Sequence, residues 1–570
     1  MCGIFALLNV PAINTAISQQ FMKGRNRGPE TYNLQLLPHN VVFGFHRLAI
    51  NGLDEVSNQP FFINGIYLVC NGEIFNYKYL YNLVENIPKS NSDCEIIIYL
   101  YLQYGIEKTL HLLDGEFAFV LYDTRNNQMF TARDPYGIRP LYMYTDKDHF
   151  IAFSSELKTL SHLFTALHSS RVLNEQSCYS IQHCLPKTYS TFHLSQQWSK
   201  VSLNKVYYEL DFSPFRTVHR MNIYTNEYLN EDKIYSQIAL HLRLAVIKRC
   251  STTERPIACL LSGGLDSSLI TALTSSYYYN SGKHIDLETY SIGLQNSTDL
   301  KHARIVADYL KTKHTEVIVT EDEMFNAIQE VIYAIESYDT TTVRASIGNY
   351  LVSKYISQHS QAKVILNGDG SDELFGGYLY MHKCPNDEEF DRETHRLLNE
   401  IYLYDVLRSD KSISSNGLEP RTPFLDVTFV KYILSLQSYF RNHNNRKQME
   451  KFILRNSFTQ KYISHADGRQ MLPDAILWRT KEAFSDGVSS VDRSLFQILQ
   501  ERIAVKMSFL KNKEYAPCIE TEQEYYRDIF QQYFPHCDSI IPKYWMPKYM
   551  DSSQKDPSAR TLSLYNSLQL

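Results

Sequence analysis

The chain has 570 residues, too many for a single hydrophobic core, so we expect at least two domains. Hydrophobic residues make up 44% and charged residues 21%, as in ordinary globular proteins. The net charge of −5 does not favour a nucleic-acid or anionic-membrane partner, and no apolar run approaches the ~20 residues that span a bilayer. The ten cysteines form no C-x-x-C pair, and the short N-terminal apolar run has no basic lead-in. We therefore expect a cytoplasmic protein without a zinc site or a disulfide framework.

The first candidate catalytic residue is Cys2. Removal of Met1 would leave a thiol and a free α-amine on one residue. An α-amine titrates near pH ~8 and can take the thiol proton, so the pair is a self-contained nucleophile and base. A cysteine at the second position usually has no catalytic role, so the motifs that follow it must show whether Cys2 is a nucleophile.

Polar residues follow Cys2 in a strand-rich region. Arg47 lies in an apolar strand, Asn71 and Gly72 end another, and Asp93 precedes an apolar helix. Taken singly, Arg47 fits a surface strand and Asn-Gly fits a hairpin turn. Strands at 117–122, 129–133, 141–144 and 150–154 follow, and the first is apolar on both faces, which indicates a layered structure.

Five motifs of this half occur in a fixed order: Cys2-Gly3-Ile4, Arg27-Gly28-Pro29, His46-Arg47-Leu48-Ala49, Asn71-Gly72-Glu73-Ile74 and Arg133-Asp134-Pro135-Tyr136-Gly137. In this order they resemble class II glutamine amidotransferases. The resemblance implies an α-β-β-α sandwich of the N-terminal-nucleophile hydrolase type. It also implies that Cys2 attacks glutamine, that Asn71 and Gly72 form the oxyanion hole, and that glutamine is held by Arg47, Leu48, Asn71, Gly72, Glu73 and Asp93.

The pattern of strands loosens after about residue 184. We predict a glutaminase domain at 2–190, a linker at 191–230 and a second domain at 231–570.

The second domain is organised around residues 262–268, Ser-Gly-Gly-Leu-Asp-Ser-Ser. An apolar strand precedes this loop and a helix follows it, an arrangement that binds anions through free N–H groups at the helix start. No lysine follows the glycines, so the loop is not a Walker A motif. Asp266 would repel phosphate unless a divalent cation accompanied it, which favours Mg²⁺. The loop resembles the pyrophosphate loop of ATP pyrophosphatases.

Strands and helices alternate beyond residue 232, which predicts a doubly wound parallel sheet. The loop at 367–374 follows another strand, and ligands in such sheets bind beyond the carboxyl ends of the strands. Asp266 and Asp372 are therefore predicted to share Mg²⁺, and Lys481 to neutralise the departing pyrophosphate. Thr340, Thr341 and Arg344 offer hydroxyls and a guanidinium for an amino-acid carboxylate.

With residues 338–339 and 423–426 and the tail at 544–548 and 556–561, these motifs resemble the glutamine-hydrolysing asparagine synthetases over nearly the whole chain. The resemblance implies ATP, L-aspartate and L-glutamine as substrates, Mg²⁺ as cofactor, a β-aspartyl-AMP intermediate and a homodimer. It implies an ATP site at Leu261, Ser262, Gly263, Gly264, Asp266, Ser267, Ile292, Asn367 and Gly368, and a catalytic carboxylate at Asp369.

The chain departs from the family at two positions, with Asn367 for the usual serine and Asp369 for the usual glutamate. The shorter Asp369 side chain predicts a slower synthetase step, since small misplacements cost large rate factors. Two other interpretations remain: an ATP pyrophosphatase with another acceptor, as in β-lactam synthetases, and a non-catalytic relative. Intact Cys2, Asp266, Asp372 and Lys481 argue against the second.

Overall fold

The computed structural model describes residues 2–168, 178–209, 230–282, 286–490, 493–510, 521–549, 556–562 and 565. Within them the N-terminal half contains strands β1 (Gly3–Leu8), β2 (Thr31–Leu37), β3 (Val41–Arg47), β4 (Phe61–Ile63), β5 (Ile66–Ile74), β6 (Gly115–Asp123), β7 (Gln128–Arg133), β8 (Tyr142–Asp146), β9 (Ile151–Ser154), β10 (Tyr179–His183), β11 (Thr188–Leu194) and β12 (Trp198–Val206). Its helices are α1 (Thr15–Met22), α2 (Tyr77–Val84), α3 (Ile96–Leu112) and α4 (Leu163–Leu167).

These strands form two antiparallel sheets, ordered β10-β8-β9-β1-β3-β2 and β12-β11-β7-β6-β5-β4. Alternate residues of β1 face opposite ways, because successive side chains of a strand point to opposite faces. Ile4 packs between the sheets with Val120 of β6, whereas Phe5 packs against Phe21 of α1. Helices α2 and α3 cover the outer face of the second sheet. The result is the predicted α-β-β-α sandwich.

Strands β11 and β12 extend the second sheet as far as Val206. They lie partly within the interval 191–230 that the sequence predicts as linker. Of that interval, residues 210–229 lie outside the described residues.

The C-terminal half is built on a five-stranded parallel sheet, whose strands are β13 (Ile257–Leu260), β14 (Glu288–Leu294), β15 (Lys313–Val319), β16 (Val364–Leu366) and β17 (Glu419–Arg421). The order is β15-β14-β13-β16-β17, so the sheet grows outward from β13 in both directions. This is the predicted doubly wound arrangement, and its carboxyl edge is where a ligand site is expected.

The helices of this half are α5 (Glu231–Ser251), α6 (Leu265–Asn280), α7 (Thr298–Leu310), α8 (Glu321–Asn326), α9 (Ile328–Ile335), α10 (Thr340–His359), α11 (Ser371–Phe375), α12 (Asp387–Glu400), α13 (Asp405–Ser414), α14 (Val427–Ser435), α15 (Ser438–Arg441), α16 (Phe452–Ser457), α17 (Asp474–Leu477), α18 (Phe484–Gly487), α19 (Leu495–Leu510) and α20 (Glu522–Tyr533). No helix in the described ranges has the length and apolarity of a bilayer-spanning segment.

Buried ion pairs join the two halves. Arg27 contacts Asp410 at 2.6 Å, and Arg249 contacts Glu116 at 3.0 Å. All four side chains are almost inaccessible to solvent. Because breaking such a pair leaves an uncompensated buried charge, these contacts fix how the halves dock.

Candidate functional site

Cys2 lies at the start of β1, beside the second sheet. Its backbone N–H donates to Asn71 Oδ1 at 3.2 Å, and its Sγ lies 3.6 Å from the carbonyl oxygen of Leu48. Arg27 Nε donates to the Cys2 carbonyl oxygen at 2.8 Å. Three separate segments therefore hold Cys2, and its side chain remains partly exposed.

Desolvation raises the pKa of the Cys2 thiol to about 11. A thiol with this pKa is almost fully protonated near neutral pH, so it needs a base to become a nucleophile. The α-amine exposed by removal of Met1 would be such a base, on the same residue.

Asn71 and Gly72 lie inside β5 and not in a hairpin turn, because β5 pairs with β6 along its whole length. Asn71 is completely buried, and its Nδ2 lies 3.5 Å from Ser155 Oγ. A Cβ atom at Gly72 would lie 2.3 Å from the carbonyl oxygen of Glu116, so no other residue fits there. The strand thus holds the Asn71 amide against Cys2, and Gly72 is the next residue of the strand.

Two buried carboxyl groups, Glu73 and Asp93, line the same region. Burial raises the pKa of Asp93 to about 6, although the N–H of Ile74 donates to its Oδ2 at 2.6 Å and opposes the shift. Burial and the nearby charges of Asp93 and Glu419 raise the pKa of Glu73 well above its usual range. Raised pKa values caused by burial and by neighbouring charges are common at functional sites.

Arg47 ends β3, and the loop that follows holds its guanidinium. Its Nη1 donates to the carbonyl oxygen of Asp54 at 2.9 Å and to Asn58 Oδ1 at 2.7 Å, and its Nη2 donates to the carbonyl oxygen of Gly52. The loop therefore fixes the orientation of this cation.

The second candidate site is a cleft at the carboxyl edge of the parallel sheet. Gly264 precedes α6 without a side-chain cap, so the first N–H groups of the helix have no side-chain acceptor. Gly263 has φ of +73°, and a Cβ there would lie 2.4 Å from the backbone nitrogen of Ala303. Ser262 Oγ and Ser267 Oγ are 3.0 Å apart and close the loop. A loop with free backbone N–H groups at a helix start is an arrangement that can bind anions.

The loop after β16 approaches the first loop closely. A Cβ at Gly368 would lie 2.8 Å from the Ser267 nitrogen, so glycine is required there. Asn367 Nδ2 donates to Ser409 Oγ at 2.6 Å, which ties this loop to α13. Leu261 and Ile292 are buried apolar residues of the cleft wall.

Four charged side chains meet between the two loops. Lys451 Nζ lies 2.7 Å from Asp266 Oδ2 and 2.6 Å from Asp372 Oδ1. Lys481 Nζ lies 2.7 Å from Asp372 Oδ2 and 3.7 Å from Asp266. Although burial opposes it, the two lysines hold the pKa of Asp372 well below its usual range. Burial likewise disfavours the Lys481 ammonium, but the two aspartates raise its pKa.

These carboxylates fit a magnesium ion. No group of three or more histidine, cysteine, aspartate or glutamate side chains in the described ranges is arranged to hold a metal. Magnesium, however, commonly uses one or two carboxylates and completes its shell with water and phosphate oxygens. Asp266 and Asp372 converge on one cation, Lys451, at the mouth of an anion loop, which is the donor set such an ion needs.

Arg408 is a cleft residue that the sequence did not single out. Its Nη2 donates to Asp369 Oδ1 at 3.0 Å and to Asp405 Oδ1 at 2.8 Å. Lys451 was missed as well, and both lie in helical or irregular segments outside any glycine-rich motif. The sequence feature that could have pointed to Arg408 is the i, i+3 spacing of Asp405 and Arg408, which suggests an ion pair on a helix.

The predicted aspartate-binding residues divide between the cleft and its surroundings. Thr341 lines the cleft, whereas Thr340 is buried and is not one of the lining residues. Arg344 does not face the cleft, because its buried guanidinium pairs with Glu522 at 2.6 Å and Asp556 at 2.8 Å. The arginines that line the cleft are Arg408, Arg455 and Arg479, and Arg344 is not among them.

The other predicted residues form two separate groups. Cys2, Arg47, Leu48, Asn71, Gly72, Glu73 and Asp93 surround the end of the sandwich. The cleft is lined by Leu261, Ser262, Gly264, Asp266, Ser267, Ile292, Asn367, Gly368, Asp369, Asp372 and Lys481, with Gly263 buried behind the loop.

Comparison with known proteins agrees with this division. A family model described as asparagine synthase matches residues 237–389 and 383–545, and one described as a glutamine amidotransferase domain matches residues 1–197. The asparagine synthetase [glutamine-hydrolyzing] of Gallus gallus is 40% identical over 580 residues, covering 100% of this chain and 99% of its own length. That of Homo sapiens is 39% identical over 585 residues with the same coverage.

Among solved structures, a glutamine phosphoribosylpyrophosphate amidotransferase from B. subtilis is 16% identical, with a TM-score of 0.29, and covers 55% of this chain and 80% of its own. That likeness is too distant to carry an argument. The two family models together match well over half of the chain and the relatives match its full length, and the chain therefore belongs to the glutamine-hydrolysing asparagine synthetases.

Proposed function

We propose that the protein makes L-asparagine from L-aspartate and ATP, using ammonia released from L-glutamine at Cys2. The observation that carries this proposal is the pairing of two sites in one chain. A cysteine with an adjacent amide and N–H lies in one half, and an anion loop with convergent lysines and aspartates lies in the other.

In the glutaminase step, the α-amine of Cys2 takes the thiol proton and Sγ attacks the side-chain carbonyl carbon of glutamine. Asn71 Nδ2 and the Gly72 N–H stabilise the oxyanion of the tetrahedral intermediate. The C–N bond breaks and ammonia leaves with the proton, which gives a γ-glutamyl thioester. Water then hydrolyses the thioester to glutamate and restores the thiol.

Arg47 and Asp93 would orient glutamine for this attack. The guanidinium grips the α-carboxylate, and the Asp93 carboxylate accepts from the α-ammonium. The raised pKa of Asp93 supports this role, because an incoming ammonium compensates its desolvation. Glu73 and Leu48 complete the pocket wall.

In the synthetase step, the β-carboxylate of aspartate attacks the α-phosphorus of ATP and pyrophosphate leaves, which gives β-aspartyl-AMP. Lys481, which contacts Asp372 beside the anion loop, would stabilise the negative charge that grows on the departing pyrophosphate. Ammonia then attacks the β-carbonyl carbon, the C–O bond to AMP breaks, and Asp369 receives the proton that the nitrogen loses.

Magnesium would be held by Asp266 and Asp372. When bound there, it neutralises phosphate charge. Before ATP enters, Lys451 supplies the positive charge between the two carboxylates. We propose that aspartate is held by Arg408 and Thr341, since Arg408 is the cleft arginine that contacts Asp369 and Thr341 Oγ1 has no hydrogen-bond partner in the described part of the chain.

We further propose two domains, 2–190 and 231–570, with the first extended to Val206 because β12 pairs with β11. The family resemblance supports a cytoplasmic homodimer, and the net charge of −5 supports the absence of a nucleic-acid partner.

The proposal is tested with glutamine labelled with ¹⁵N in the side-chain amide, supplied with aspartate, ATP and Mg²⁺. We expect the label in the side-chain amide of asparagine, with AMP and pyrophosphate formed one for one. An amide-transfer product other than asparagine would indicate a different acceptor, and AMP formation without any ammonia incorporation would contradict the proposal.

A further inference from the structure

We propose that residues 252–255 of the C-terminal half, which we name the clamp segment, position the loop that orients Arg47 and thereby set the affinity of the first site for glutamine. The loop in question is residues 48–54, named the Arg47 loop. This inference rests on the proposed function, because that function assigns Arg47 to glutamine.

The clamp segment bonds to four consecutive residues of the Arg47 loop. Arg255 Nε donates to the carbonyl oxygen of Ala49 at 2.8 Å, and the Glu254 N–H donates to that of Ile50 at 3.0 Å. Asn51 Nδ2 donates to the carbonyl oxygen of Thr252 at 2.9 Å, and the Gly52 N–H donates to Glu254 Oε1 at 2.7 Å. Hydrogen bonds at four successive residues fix the backbone conformation of the Arg47 loop.

The bonds at Gly52 lead directly to Arg47. The Gly52 N–H is held by Glu254, and the Gly52 carbonyl oxygen accepts from Arg47 Nη2. Gly52 has φ of +61°, and a Cβ there would lie 2.2 Å from Ser57 Oγ. Only glycine adopts this conformation in this space, so the orientation of its carbonyl group depends on the groups that hold it.

Further contacts extend the clamp to neighbouring groups. Glu30 accepts from the Ala49 N–H at 2.8 Å and from Arg255 Nη2 at 2.8 Å, so it bridges the loop and the clamp segment. The Thr252 carbonyl oxygen also accepts from Arg421 Nη2 at 3.1 Å, and Arg421 lies 3.3 Å from Glu73. The C-terminal half thus supports both Arg47 and Glu73 of the glutamine site.

The other end of the clamp segment leads into the second site. Ile257 begins β13 two residues after Arg255, and β13 runs directly into the anion loop at 262–268. One short segment is therefore bonded to the glutamine side and covalently continuous with the ATP side. No clamp residue reaches the reacting atoms, so Glu254 and Arg255 are positioning residues.

Glu254→Ala tests the proposal, with Glu254→Gln as its matched control. Glu254 is exposed, so neither change opens a cavity, and glutamine keeps an oxygen that accepts from the Gly52 N–H. Since a hydrogen bond contributes about 1 kcal/mol, we expect Glu254→Ala to raise the KM for glutamine about fivefold, and the Glu254→Ala/Arg255→Ala double variant by at least about tenfold. The kcat of glutamate release changes little, Glu254→Gln stays near the parent, and the rate of asparagine formation from ammonium is unchanged.

A double-mutant cycle with Arg47→Ala completes the experiment. If Glu254 acts through Arg47, the two changes combine to less than the sum of their separate effects on the free energy of glutamine binding. Three results would each contradict the proposed role of the clamp segment. They are an unchanged KM for glutamine in Glu254→Ala, fully additive effects of Glu254→Ala and Arg47→Ala on glutamine binding, and a loss of ammonium-dependent activity as large as the loss of glutamine-dependent activity. A parent protein that releases no glutamate from glutamine would instead overturn the proposed function.

Discussion

Arg408 donates to the carboxylate of Asp369 at 3.0 Å, within the cleft that also holds the anion loop. The side chain of Asp369 is one methylene shorter than that of the glutamate usual at this position in the family. Its pairing with Arg408 shows that the shorter side chain still reaches a cation at this point. The carboxylate is therefore oriented by a neighbour that the sequence motif does not contain.

We predict that Asp369→Asn lowers the rate of asparagine formation from ammonium by about 10²-fold, because the amide cannot receive a proton. Asp369→Glu retains the carboxylate and is the matched control, with activity at or above the parent. Glutamate release from glutamine stays the same in both variants. Full synthetase activity in Asp369→Asn would remove Asp369 from the mechanism.

Lys451 and Lys481 both contact Asp372 but differ in burial, with side-chain exposures of 1% and 26%. Lys451→Met should destabilise the protein by about 3–5 kcal/mol, since it removes the buried cation between Asp266 and Asp372 and leaves Lys481 alone to balance both carboxylates. Lys481→Met should lower pyrophosphate formation by about 10²–10³-fold with little loss of stability. Urea unfolding measures the loss of stability in each variant, and a pyrophosphate assay measures the loss of activity. Equal stability losses in both variants would contradict the assignment of a structural role to Lys451 and a catalytic role to Lys481.

The pH dependence of glutamine use is expected to follow Asp93. Burial raises the pKa of this carboxyl to about 6, so it is ionised above that pH and protonated below it. A protonated carboxyl cannot pair with the α-ammonium of glutamine, so kcat/KM for glutamine should fall as the pH drops below about 6. Asp93→Asn should lower kcat/KM at pH 8 and remove the limb near pH 6, while the separate limb near pH ~8 from protonation of the Cys2 α-amine remains. An unchanged limb near pH 6 in the variant would assign that titration to another group.

Two glycines with positive φ, Gly263 of the anion loop and Gly282 beyond the end of α6, provide a matched steric test. Their φ values are +73° and +67°, and a Cβ at Gly263 would lie 2.4 Å from the Ala303 nitrogen, whereas one at Gly282 would meet no atom of the described residues within 4 Å. Both alanine variants carry the same backbone strain. Gly263→Ala should abolish ATP-dependent AMP formation, whereas Gly282→Ala should retain it. Equal loss of AMP formation in both would mean that strain, and not loop geometry, is responsible.

The sequence predicts the local parts of both sites well. The anion loop, its helix and the glycines of the second loop are set by adjacent residues, and the structure has them as strand, loop and helix. The layered sandwich and the parallel sheet also follow from the spacing of apolar strands. Asn71-Gly72 shows the limit of local patterns, because pairing with β6 keeps a turn-like dipeptide within a strand.

The sequence does not predict partners that the tertiary fold brings together. Lys451 is 185 residues from Asp266, and nothing around it in the chain marks it as an active-site cation. The sequence predicts that the Arg344 guanidinium binds a substrate carboxylate. In the structure it forms ion pairs with Glu522 and Asp556, which are distant in the sequence. The clamp contacts between 49–52 and 252–255 likewise join segments about 200 residues apart.

The central claim is that Cys2 supplies ammonia to a separate synthetase site. Its most direct test compares glutamine and ammonium as nitrogen donors for asparagine formation by Cys2→Ala. We predict that the variant makes asparagine from ammonium at the parental rate, with AMP and pyrophosphate, and makes none from glutamine. Continued glutamine-dependent synthesis, or loss of synthesis from both donors in a folded variant, would contradict the account.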